Sequence, residues 1–192
     1  AQLRLGETTD TQDATGRLLT SIDPSGVTEI NLQTVLTGFR GIQRQLPPMY
    51  SAVKVGGQRL YKAARAGKTI DRAERSIVIH TLELMSFDGR DATLRVVCSK
   101  GTYVRTLCAD IGQALGVGGH LFSLERRRVG PLSIERALTV EQVASHLAAS
   151  TLASQFLSLD ELLFELPAVV VNEEQAERVL HGTPVSQIGI GQ

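Results

Sequence analysis

Residues 98–112, CSKGTYVRTLCADIG, join two periodicities at one corner. The residues leading into it, ATLRVVCS (92–99), are rich in branched side chains, as a strand is. The residues leading out, TYVRTLCADIGQALG (102–116), place Val104, Leu107, Ile111 and Leu115 on one apolar helical stripe. Lys100-Gly101 leaves little side-chain bulk where strand becomes helix. Tyr103 and Arg105 stand just past that corner, where functional groups are commonly presented. A tyrosine there offers a flat face for a base and a hydroxyl that exchanges a proton. An arginine offers a planar fork that holds a carboxylate ionised. Alone, the two residues name no reaction, and an ordinary helix start accounts for them equally well.

Working outward, RSIVIHTLELMSF (75–87) is a second strand, joined to the first by the turn residues DGRD. AQLRLG (1–6) alternates as the end of a strand does, and TDTQDATG (9–16) is a polar loop. DPSG (23–26) is a turn, and NLQTVLTGFRG (31–41) a helix with Leu32, Val35, Leu36 and Phe39 inward and Asn31 as its N-cap. Pro47-Pro48 forbids helix. SAVKV (51–55) reads as a short strand, Gly56-Gly57 as a tight turn, and QRLYKAARAG (58–67) as a helix closed by Gly67. GHLFSLERRRVG (119–130) reads as a strand and TVEQVASHLAAS (139–150) as a helix capped by Thr139. SLDELLFEL (158–166) is a short helix, and AVVVNEEQAERVLHGTPV (168–185) a strand and a helix ending at Gly182. The expected class is α+β with antiparallel hairpins and interleaved helices.

The 192 residues carry 20 basic and 20 acidic side chains, so net charge alone suggests no polyanionic partner. Distribution suggests one. Arg40 to Arg75 holds nine Lys/Arg against two acids, and Arg95 to Arg128 six against two, whereas Val129 to Gln192 has two against eight. Arg59, Lys62 and Arg65 recur every third residue, which suits phosphate contacts. In a strand, Arg126 and Arg128 of ERRRVG share a face. Cys98 and Cys108 are the only cysteines, too few for a disulfide framework, and are expected buried. The four histidines and two cysteines lack metal-ligand spacing, so no metal is expected. No apolar run is long enough to span a membrane.

Three stretches, PPMYSAVKVGGQRLYKAARAG, CSKGTYVRTLCADIGQALG and GGHLFSLERRRVGPLS, resemble in order and spacing the signature stretches of the TruB family of bacterial tRNA pseudouridine synthases. The likeness runs from RLGETTDTQDATG to LPAVVVNEEQAERVLHGTPV. It implies a pseudouridine-synthase fold, a mostly antiparallel mixed sheet flanked by helices. The catalytic domain would cover 1–150, a linker 151–166, and the start of a small PUA-like RNA-binding domain 167–192. The implied reaction converts uridine to pseudouridine in the T loop of tRNA, in a cytoplasmic monomer that needs no cofactor, protein partner or membrane. By resemblance, Tyr103 packs on the target uracil within reach of its C5 proton. Arg105 pairs with the nucleophilic aspartate, Leu124 closes the apolar side of the base pocket, and Lys54 supports the site. Arg59, Lys62, Arg65, Arg126 and Arg128 are RNA-contact candidates by general analogy.

The family's nucleophile stands three residues before the Ala of an Ala-Thr-Gly. Here that position is Thr11, with Asp10 and Asp13 on either side, so the Ala-Thr-Gly at 14–16 is read as coincidence. The nucleophile loop is then expected upstream of Ala1. The chain is expected to be an internal fragment, inactive alone. A guide-RNA-dependent relative is a weaker alternative, because KVGGQRLY has the short glycine turn of the stand-alone bacterial type. A tRNA-binding or tRNA-folding module without catalysis is another.

Overall fold

The computed structural model describes residues 1–163, 165–167 and 169–184, in two compact units, Ala1–Glu125 and Arg126–Gln192. In the first unit the strands are β1 (Gln2–Leu5), β2 (Glu7–Thr9), β3 (Leu18–Ser21), β4 (Gly41–Gln45), β5 (Lys54–Val55), β6 (Gln58–Arg59), β7 (Arg75–Phe87), β8 (Asp91–Cys98) and β9 (Gly119–Ser123). Its helices are α1 (Glu29–Gly38), α2 (Leu60–Arg65) and α3 (Val104–Ala114). Five strands form one sheet in the order β4-β7-β8-β1-β9, each neighbouring pair antiparallel. The hairpin of β7 and β8 is its spine, as the branched runs around DGRD predict.

β1 lies between β8 and β9, where alternation decides its role. Leu3 and Leu5 are fully buried, while Gln2 and Arg4 keep partial access to solvent. α1 and α3 supply the rest of the core: Leu32 and Leu36 from α1, Leu107, Cys108 and Ile111 from α3, against Ile77, Ile79, Leu82 and Leu94 of the sheet. The cap of α1 is Thr28, not Asn31. Thr28 accepts from the Asn31 N–H and the Asn31 side chain returns a bond to Thr28, so the asparagine is the third residue of a capping box.

α3 can lie close to β9 only because of a glycine. A Cβ on Gly112 would stand 2.3 Å from the Gly119 nitrogen and 2.4 Å from the Gly118 carbonyl carbon. The Gly112 carbonyl meanwhile accepts from the N–H of Gly118 at 2.9 Å.

Three local expectations need correction. The strand expected over 51–55 is only Lys54–Val55. The strand expected over 119–130 ends at Ser123, whose pairing with Gln2 is the last of its ladder, and resumes only as Arg128–Val129. Arg126 is therefore outside any strand, and alternation does not put it on a face with Arg128. Cys98 is half-buried rather than buried, whereas Cys108 is sealed, and burial pushes its thiol up to about 12.

The second unit is built of short elements. β10 (Arg128–Val129) and β11 (Leu132–Ser133) form a ribbon around Gly130, followed by α4 (Val140–Ala148), α5 (Leu159–Leu162) and α6 (Glu173–Leu180). The helices start at capping boxes from Thr139 with Gln142, Ser158 with Glu161, and Asn172 with Gln175. None of this unit's described residues is fully buried. Residues 169–172 form no strand, and the end of the stretch expected to open a PUA-like domain, 185–192, lies outside the described residues.

Candidate active site

β8 delivers the chain to the corner predicted at Lys100-Gly101. There Gly101 adopts φ +84°, a left-handed conformation suited to glycine, and α3 begins. Tyr103 is the N-cap residue and Arg105 sits in the first turn. The Arg105 guanidinium lies 5.9 Å from the Tyr103 ring centroid. Arg105 donates from Nη1 to Asp13 Oδ2 at 3.1 Å and from Nη2 to the carbonyl of Tyr50. These bonds use two of its five N–H donors.

Asp13, in the loop whose Ala-Thr-Gly the sequence marks as coincidence, is the carboxylate that Arg105 meets. The loop is docked as an extra edge on the sheet. Leu121 N–H donates to the Gln12 carbonyl at 3.0 Å, and Ala14 N–H to the Leu121 carbonyl at 2.9 Å. Gln12 itself has φ +65°, unusual for a residue with a side chain, and its Oε1 accepts from Thr106 of α3 at 2.8 Å. Asp13 Oδ1 accepts from Thr11 Oγ1, Thr15 N–H and Thr15 Oγ1 at 2.8, 3.1 and 2.6 Å. Burial opposes the carboxylate's charge, but the Thr15 and Thr11 hydroxyls, the Thr15 amide and Arg105 outweigh it. The net effect holds its pKa below the ordinary carboxylate range. Thr11 and Thr15, two residues to either side of Asp13, are a local signal for a self-bonded aspartate, but nothing nearby signals its distant arginine.

Both side chains of this pair are 22% exposed. Because the folded-state pKa lies below the unfolded value, the ionised form stabilises the fold above the unfolded pKa, about 3.9. That contribution is lost as pH falls through the folded value. Asp13→Asn is expected to cost about 2 kcal/mol at pH 7, a difference that shrinks below pH 4 as the parent carboxyl protonates. Parallel thermal melts of the two proteins from pH 7 down to pH 2 check this; equal midpoints at pH 7 would contradict it.

The basic candidates form a separate group. Lys54, Arg59 and Lys62, with Tyr61 and the Gly56-Gly57 turn, line one open concavity of about 670 Å³. Arg65 stands with its guanidinium 5.5 Å from the Tyr61 ring centroid. Lys54 is thus grouped with the cations of α2. Leu124 follows β9 and is 49% exposed. Arg126 and Arg128 belong to the second compact unit.

The chain matches the model of TruB family pseudouridylate synthases, N-terminal domain, over residues 1–104. It belongs to the TruB family. A model of the tRNA pseudouridylate synthase B C-terminal domain matches residues 105–170. Among TruB relatives, the tRNA pseudouridine synthase B of Bordetella avium is 46% identical over 164 residues, covering 84% of this chain and 66% of the relative. That of Pseudomonas aeruginosa is 44% identical over 186 residues, covering 95% and 61%. The chain therefore spans roughly three-fifths of these relatives' length. A solved structure of a Cbf5-Nop10-Gar1 complex superposes with a TM-score of 0.70 at 26% identity, over 95% of this chain and 47% of that one. The fold is that of the pseudouridine synthases, as expected from the sequence.

Proposed function

We propose that the protein isomerises uridine to pseudouridine in the T loop of tRNA, with Tyr103 and Arg105 in its active site. The observation that carries this is the Arg105 guanidinium, braced by Asp13 and the Tyr50 carbonyl beside the Tyr103 ring, in a TruB-family chain. An aspartate carboxylate bonds to the sugar C1′ as the C1′–N1 bond breaks, and the uracil turns. Its C5 then bonds to C1′ as the aspartate is released, the C5 proton leaving and N1 taking up a proton. Arg105 keeps that aspartate ionised and aimed. Tyr103 packs on the uracil, which must leave its stack to be reached, and Leu124 closes the apolar side of its pocket. Held geometry and exclusion of water supply the catalysis, so no cofactor is called for.

Asp13 is a poor candidate for the attacking group. Its Oδ1 accepts three hydrogen bonds from its own loop, from Thr11 and Thr15, which fix the carboxylate there as a brace for Arg105. Asp13 therefore serves to hold Arg105 rather than to attack the nucleoside. Lys54, Arg59, Lys62 and Arg65 give the first unit a phosphate-binding face, and Arg126 and Arg128 are RNA-contact candidates of the second unit, taken by itself. Residues from about 167 onward begin an RNA-binding domain. The protein works as a cytoplasmic monomer. Among the described residues no helix is long and apolar enough to cross a membrane.

Identities of 44–46% to tRNA pseudouridine synthase B, against 26% to the Cbf5 complex, favour a stand-alone tRNA enzyme over a guide-dependent one. The test is an unmodified tRNA transcript incubated with the full-length protein and, separately, with the 192-residue chain. Pseudouridine is then read by cyanoethylation and mass spectrometry. Product confined to the T loop, without added cofactor or guide RNA, is expected from the full-length protein and none from the chain alone. Tight binding without product would make the protein a tRNA-binding module. Product from the chain alone would make Asp10 or Asp13 the nucleophile.

A further inference from the structure

Gln45 ends β4 and is only 4% exposed. Both ends of its side-chain amide are bonded to one residue 58 positions away. Nε2 donates to the Tyr103 carbonyl at 3.1 Å, and Oε1 accepts from the Tyr103 N–H at 2.8 Å. Only one orientation of the amide satisfies a carbonyl and an N–H together. Tyr103 makes no side-chain cap bond to α3. Its carbonyl accepts from the Leu107 N–H at 3.0 Å as well as from Gln45, so the sheet adds a second hold on this corner and engages the Tyr103 N–H too.

The segment after Gln45 continues the same function. Pro47-Pro48 has restricted backbone freedom. Arg72 donates to the Pro47 carbonyl and, at 3.3 Å, to that of Ile70. Tyr50 then accepts from Arg105 Nη2 through its carbonyl. One braced strap, residues 45–50, therefore grips both Tyr103 and Arg105.

We propose that Gln45 is a positioning residue for the pseudouridine synthase site, its buried amide setting the Tyr103 backbone and, through the first turn of α3, the direction of Arg105. This rests on the function proposed above for Tyr103 and Arg105. Gln45 touches neither substrate nor reacting atoms. Its loss misplaces the groups that do, and a displacement near 1 Å is enough to cost about 100-fold in rate.

The experiment uses the full-length protein and Gln45→Met, a side chain of similar length with no amide. Single-turnover pseudouridine formation and affinity for a T-arm RNA are measured on both. Exchange of the 15N-tyrosine amides is followed in parallel, with the Tyr103 and Tyr61 signals each assigned by its loss in the corresponding Tyr→Phe variant. The expected result is a rate lowered about 30- to 100-fold, with RNA affinity within about twofold. Tyr103 amide exchange should rise at least about tenfold, while the Tyr61 amide stays protected. An unchanged rate with unchanged Tyr103 exchange overturns the proposal. So does a uniform rise at all protected tyrosine amides with rate and affinity falling together, which marks a merely structural residue. Random-coil exchange of Tyr103 in the unsubstituted protein overturns it even if Gln45→Met does not fold. If the unsubstituted protein makes no pseudouridine, the proposed function fails, and the tyrosine amides alone decide whether the clamp exists.

Discussion

Arg105→Lys is expected to abolish pseudouridine formation by the full-length protein, a loss of about 1,000-fold or more in single-turnover rate, while T-arm RNA binding stays within about twofold. Arg105 spreads its donors across a planar fork, one arm on Asp13 and one on the Tyr50 carbonyl. A lysine ammonium is a single point on a flexible stem and cannot keep both partners while presenting a second face to another carboxylate. Its charge is unchanged, so attraction to RNA through the cations around Lys54 is preserved. The split between chemistry and binding is therefore the diagnostic. Single-turnover assays beside filter binding at fixed salt measure it. A normal rate would remove Arg105 from the active site. Equal loss of binding would mean that it contacts RNA rather than a catalytic carboxylate.

Gly112→Ala is expected to be the most damaging single-methyl change in the first unit. The added carbon meets backbone atoms of Gly118 and Gly119 at 2.3–2.5 Å, none of which can rotate away as a side-chain tip can. α3 and β9 must separate, opening the core at Leu107, Ile111 and Leu121. Overpacking of this kind costs about 3 kcal/mol, or roughly 10 °C in the melting midpoint. β9 also holds the Asp13 loop through Leu121, so the separation reaches the Arg105 pair. Gly26→Ala is the control: an added Cβ there meets nothing within 4 Å, and its effect should stay within about 0.5 kcal/mol. Thermal melts of the three proteins decide it. Equal midpoints for Gly112→Ala and the parent would show that the helix and strand have room to part.

Local patterns were legible where neighbouring residues decide the outcome. The β7–β8 hairpin, the stripe of α3 and the Thr139 cap each follow from side chains within a few positions of one another. Boundaries failed where a longer-range partner sets them. SAVKV has strand-like composition but only Lys54–Val55 pairs, with Gln58–Arg59 across the Gly56-Gly57 turn. Likewise, β9 ends where its ladder with β1 does, whatever the sequence of GHLFSLERRRVG favours.

The sequence by itself determined the family, the α+β class and the presence of Tyr103 and Arg105 at a strand-to-helix corner. Ordered motifs and short-range periodicity are properties of the chain read in one dimension. Only the tertiary structure decided that Asp13 meets Arg105 across 92 positions and that Gln45 meets Tyr103 across 58. Neither contact leaves a periodic trace. Each depends on where a loop or strand end lies after the sheet has assembled, through bonds effective only within about 3 Å.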